Sequence, residues 1–92
     1  MAIKFRKKAI KILDKANPED VENIREEINQ IFVAIEDLGV IPFTELDIKK
    51  MKGDWEGYYS TSVGKNRIIF TVDIDSQDIE IYAIGARGDI YK

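Results

Sequence analysis

The sequence predicts an α+β domain: a short N-terminal strand, then an antiparallel helix hairpin packed on a curved antiparallel sheet of three to four strands. Three observations predict it. The last third, Trp55 to Lys92, holds three runs rich in β-branched and aromatic residues, separated by turn signals at Gly64-Lys65-Asn66 and Asp75-Ser76-Gln77-Asp78. Val21, Ile24, Ile28, Ile31, Ile35 and Leu38 form an apolar stripe at helical spacing. Asn17-Pro18-Glu19-Asp20 starts that helix directly after an earlier helical pattern, so the two make a tight hairpin. The length of 92 residues fits one domain, 1–92.

Taken in order, Ala2-Ile3-Lys4-Phe5 alternates like a short edge strand, with Ile3 and Phe5 on one side. From about Arg6 the pattern becomes helical. Ala9, Ile12, Leu13 and Ala16 share a face and the lysines take the other, with the helix ending near Ala16. In the second helix Asn17 can cap, Pro18 suits the first position, and Glu19 and Asp20 favour the positive end of the helix dipole. Phe32 widens the stripe, and Gly39 stands at the expected C-terminal cap.

Val40 to Gly53 fits neither period and reads as an extended loop with apolar anchors, broken by Pro42. Lys49, Lys50 and Lys52 cluster there, as a solvated face or as the rim of an anion site. In the meander, Tyr59, Thr61 and Val63 share one face of the first strand, opposite Tyr58, Ser60 and Ser62. Ile68, Phe70 and Val72 oppose Arg67, Ile69 and Thr71 in the second. Ile79, Ile81 and Ala83 oppose Glu80, Tyr82 and Ile84 in the third. Neither face is fully polar, so helices cover one and the other awaits a partner or forms a working surface.

The chain has no Cys and no His. Disulfides, thiolate metal sites and a Ser-His nucleophile pair are therefore excluded, and the commonest general base is missing. No metal and no cofactor are expected. No apolar run is long enough to span a bilayer, so no membrane partner is expected and the reading is of a soluble cytoplasmic protein. The net charge of −3 opposes bulk nucleic-acid binding, but the charge is unevenly placed. Residues 1–15 carry six basic side chains against Asp14, and residues 19–37 carry seven acids against Arg25. Two helices with complementary solvated faces explain this; a basic segment that meets phosphate or an acidic partner is the sharper reading.

Four segments in order suggest a family: Met51-Lys52-Gly53-Asp54; Gly57-Tyr58-Tyr59; Val63-Gly64-Lys65-Asn66-Arg67-Ile68; and Gly85-Ala86-Arg87-Gly88-Asp89-Ile90-Tyr91. Together they resemble the RelE/ParE superfamily, the toxins of bacterial type II toxin–antitoxin pairs. The resemblance spans nearly the whole chain and implies the strand, helix hairpin and sheet order derived above. It implies a cognate antitoxin as partner. Activity of the RelE kind implies the ribosome and mRNA as further partners, with mRNA cut in the decoding site. Activity of the ParE kind implies DNA gyrase as target, without nuclease chemistry. A degenerate member that only binds an antitoxin is the third possibility.

By resemblance, Arg67, Arg87 and Tyr91 match the catalytic arginines and tyrosine of the family. Lys52, Lys65, Ser60 and Ser62 stand where phosphate or RNA would be met. The family commonly has basic residues where Ser60 and Ser62 stand, and His where Ala86 stands. Cleavage by 2′-hydroxyl attack needs a base, an acid and cations on the phosphorane. Arg67 and Arg87 can clamp a phosphate bidentately. Base and acid fall to Tyr91, to a lysine such as Lys52, or to ribosomal RNA. Against this, Arg67 can simply pair with Asp73 or Glu80 within the sheet, Tyr91 can pack on the sheet and fix the C-terminal tail, and Trp55, Tyr58, Tyr59 and Tyr82 read as sheet packing.

Overall fold

The structure is a computed structural model that describes residues 3–86. Strand β1 (Ile3–Phe5) leads into helix α1 (Lys7–Lys15), and helix α2 (Pro18–Leu38) follows after two residues. Strands β2 (Lys49–Lys50), β3 (Tyr59–Val63), β4 (Asn66–Asp73) and β5 (Asp78–Ala86) follow among the described residues, with a 3₁₀ turn at Gly53–Trp55.

Local chemistry sets the ends of α2. The Asp20 N–H donates to the Asn17 side-chain oxygen at 2.8 Å, with Pro18 in the first turn. Gly39 closes the helix at φ +69, a left-handed conformation that costs glycine nothing, and its N–H donates to the Ile35 carbonyl at 2.8 Å. The apolar stripe is core from Ile24 through Ile28 and Ile31 to Ile35. Leu38 departs from the expected stripe, being 72% exposed. Leu38 is the last residue of the helix, next to its Gly39 cap.

The sheet order is β1-β5-β4-β3-β2. The α+β class and element order are as expected, but the sheet has five strands and is mixed: β1 runs parallel to β5, and every other pair is antiparallel. β2 is two lysines paired to Tyr59 and Ser60, too short to show a period of two in the sequence. Both helices lie on one face. Ala9 of α1 and the α2 isoleucines pack there with Ile68, Phe70, Ile79, Ile81 and Ile84, and Ile48 of the preceding loop joins them. Thr61, 2% exposed on that face, donates its hydroxyl to Glu27 of α2 at 2.7 Å, with the Leu46 carbonyl at 3.2 Å.

The alternation expected for β5 fails after Ile81. Phe70 pairs with Ile81 and Ile69 pairs with Ala83, so Tyr82 is an extra residue in a β-bulge. Beyond the bulge the faces exchange. Ile84 joins the helix-side core, and Ala83 turns to the opposite face beside Tyr82. Among the described residues, no helix is long and apolar enough to cross a membrane.

Candidate nucleic-acid interface

The face opposite the helices, called here the open face, is built by strand alternation and cross-strand register. On β4, Ile68 and Phe70 point to the helices, so Arg67, Ile69 and Thr71 point away. Arg67 pairs with Ser62 on β3 and with Gly85 on β5, giving one row across the sheet. The next row, about 7 Å along, is Lys49, Ser60, Ile69 and Ala83. Ser60, Ser62 and Arg67 therefore share a face, as the sequence pattern implies.

Their accessibility differs. Ser62 is exposed and Arg67 is half-buried, with the small Gly85 as its other neighbour. Ser60 is only 6% exposed. It lies in the row of Ile69 and Ala83, which Trp55, Tyr58, Tyr82 and Met51 cover. Ser60 is therefore buried beside a small second core rather than presented at the surface. That core also explains why neither face of the sheet reads as polar. Its rings meet edge to face, with centroids 5.4 Å apart for Trp55–Tyr58 and Trp55–Tyr82, and 5.2 Å for Tyr58–Tyr82.

The lysine cluster divides. Lys49 joins the open face through its pairing with Ser60, whereas Lys50 turns to the helix side with its ammonium 5.6 Å over the Phe43 ring. Lys49 is a functional candidate that only the β2 register could identify. Lys52 and Lys65 are both exposed, Lys52 just before the 3₁₀ turn and Lys65 in the β3–β4 turn. They lie beyond opposite ends of β3, Lys52 in the loop that precedes it and Lys65 in the turn that follows it. Arg87 and Tyr91 lie outside the described residues.

The alternative pairing of Arg67 with Asp73 or Glu80 does not form among the described residues. Glu80 meets Arg6, with 3.3 Å between carboxylate oxygen and Nε. Asp73 accepts the N–H groups of Asp75 and Ser76 at 3.1 and 3.3 Å, at the far end of β4 from Arg67 and about 20 Å away. The described residues contain no cluster of three Asp or Glu side chains placed to hold a metal ion.

No protein-family model and no curated protein sequence matches this chain. Solved structures do, over almost its full length. RelE in the archaeal RelE–RelB complex of Pyrococcus horikoshii is 23% identical with a TM-score of 0.71, covering 96% of both chains. The YoeB/ParE toxin of Agrobacterium tumefaciens is 20% identical with a TM-score of 0.75, covering 95% of this chain and 99% of that one. The chain has the RelE/ParE toxin fold. A third structure of that fold, the RelB–RelE antitoxin–toxin complex of Methanococcus jannaschii, is 28% identical with a TM-score of 0.65, over 97% of this chain and 95% of that one. The RelE/ParE fold thus accounts for both helices and the whole sheet.

Proposed function

We propose that this chain is the toxin of a type II toxin–antitoxin pair and that it cleaves mRNA on the ribosome. The observation that carries the reading is Arg67 on the open face of a sheet whose fold matches toxins from end to end. A small cognate antitoxin is its neutralising partner, in keeping with neighbours solved as toxin–antitoxin complexes.

In this reading the RNA crosses the open face and the 2′-oxygen attacks its own 3′-phosphate. The bond to the 5′-oxygen breaks and a cyclic phosphate is left. Arg67 and Arg87 stabilise the charge that builds on the phosphorane. Ser62, across from Arg67, donates a neutral hydrogen bond. Lys52, in the loop before β3 and outside the Arg67 row, contacts a neighbouring phosphate rather than moving the reacting proton. Proton transfer falls to Tyr91 or to ribosomal groups.

One observation favours a second reading. Ser62 is neutral opposite Arg67 and Ser60 is buried, which leaves fewer cations for phosphate chemistry. A toxin that inhibits gyrase without cutting RNA, or a chain that only binds an antitoxin, needs none. Induced expression separates the three. The nuclease reading expects growth arrest with truncated mRNA, relieved by Arg67→Ala or Arg87→Ala. Arrest with intact mRNA and an SOS response supports the gyrase reading, and normal growth supports the binding-only one.

A further inference from the structure

The β2–β3 edge of the sheet carries a feature that chemistry at Arg67 does not use. Residues 51–58 form a loop closed on itself: the Met51 N–H donates to the Tyr58 carbonyl at 3.0 Å, and the Tyr58 N–H to the Trp55 carbonyl at 3.0 Å. Beside this loop is an open cavity of about 590 Å³, lined by Lys52, Gly53, Glu56, Gly57 and Tyr58 together with Lys50 and Tyr59 from the strand ends. That volume suits a nucleotide-sized ligand. At Gly53 and Gly57 no atom lies within 4 Å of where a Cβ would stand, so the backbone is open to close approach.

Tyr58 belongs both to this cavity and to the aromatic cluster. Its ring is fixed from two sides, edge to face with Trp55 at 5.4 Å and with Tyr82 at 5.2 Å. Tyr82 is itself held by the Arg6 guanidinium, 5.5 Å from its centroid, and Arg6 by Glu80 at 3.3 Å. Tyr58 thus joins the aromatic cluster to a cavity that Lys52 also lines. A fixed aromatic ring next to a cation and bare backbone is the arrangement that binds single-stranded nucleic acid, with a base on the ring and a phosphate on the cation.

We propose that this cavity is a nucleotide subsite, in which an RNA base stacks on Tyr58 and the adjoining phosphate meets Lys52. The inference rests on the RNA-binding reading above and deepens it. The subsite lies before and at the start of β3, away from the Arg67–Ser62 row, so it holds a nucleotide that flanks the cleaved one. Glu56 is the acid in the wall, and it repels phosphate towards Lys52.

Trp55 is the only tryptophan in the chain and lies against Tyr58, so it reports on the subsite. The experiment titrates the full chain with a labelled nine-nucleotide single-stranded RNA. Binding is followed by anisotropy of the label and occupancy by Trp55 emission. The expected result is saturable quenching of Trp55 in step with binding. Tyr58→Leu weakens binding by about 5- to 150-fold, the loss of one stacked base, while Tyr58→Phe stays within about twofold. Lys52→Ala, on an exposed residue, reduces the slope of log affinity against log salt by about 0.7, one single-strand phosphate contact.

RNA that binds with Trp55 emission unchanged, and with equal affinity for Tyr58→Leu, overturns the subsite and leaves the rings to packing or to a protein partner. Absence of RNA binding overturns it as well. Should Tyr58→Leu fail to fold, quenching in the wild type together with the Lys52→Ala slope decides. mRNA cleavage without quenching sinks the subsite alone. Quenching without cleavage sinks the nuclease reading alone.

Discussion

Thr61→Val tests the joint between helix and sheet. Thr61 is 2% exposed, and its hydroxyl donates to the Glu27 carboxylate at 2.7 Å, with the Leu46 carbonyl at 3.2 Å. One proton faces two acceptors, and the shorter, charged one takes most of it. Valine fills the same volume, so the substitution leaves no cavity. What is lost is one hydrogen bond to a charged group, about 1.5–3 kcal/mol. Glu27 is half-buried and partly regains water, which holds the net loss near 2 kcal/mol. For a domain of this size that lowers Tm by about 8–16 °C. Urea unfolding followed by circular dichroism gives the free energy directly. A double-mutant cycle with Glu27→Ala should return a coupling of about 1.5 kcal/mol. Thr61→Val within 0.5 kcal/mol of wild type, or a cycle that returns zero, would show that the bond contributes nothing and refute the reasoning.

Other substitutions test separate parts of the account. Ile31→Ala should cost about 2–5 kcal/mol by urea unfolding, because Ile31 is buried between α2 and the sheet, whereas Leu38→Ala on the same nominal stripe should stay within about 0.5 kcal/mol. Asn17→Ala removes the cap on the Asp20 N–H and should cost about 1 kcal/mol in the same assay. Ser62→Lys puts a cation directly across from Arg67; it should raise the rate of mRNA cleavage about tenfold and lower stability by about 0.5 kcal/mol through like-charge contact. An unchanged or lower rate in that variant would remove the phosphate from the Arg67 row.

Much of the fold was legible in residue order because local signals agreed with one another. Asn17, Pro18 and Gly39 bound α2 where cap chemistry demands, and four isoleucines at spacings of 4, 3 and 4 define its buried face. The alternation of β4 placed Arg67 and Ile68 on opposite faces correctly. What escaped depends on pairing rather than on pattern. The bulge at Tyr82 carries no glycine or other marker, yet it exchanges the faces of Ala83 and Ile84. Strand β2 exists only through its partners, and without its register Lys49 cannot be assigned to the open face. The burial of Ser60 arises from rings supplied by residues 55, 58 and 82, which meet only in the folded sheet. Leu38 fits the helical period, but as the last residue of the helix it stays exposed.

Cleavage of mRNA at the Arg67 face, as proposed, has a direct test on the ribosome. The purified chain should be added to ribosomes stalled on a defined mRNA, with ends mapped by primer extension, beside the same mRNA without ribosomes. The account predicts a cut at the decoding site only when ribosomes are present, slowed about 10²- to 10³-fold by Arg67→Ala. Intact mRNA on the ribosome, or cutting at the same rate with Arg67→Ala, would contradict it.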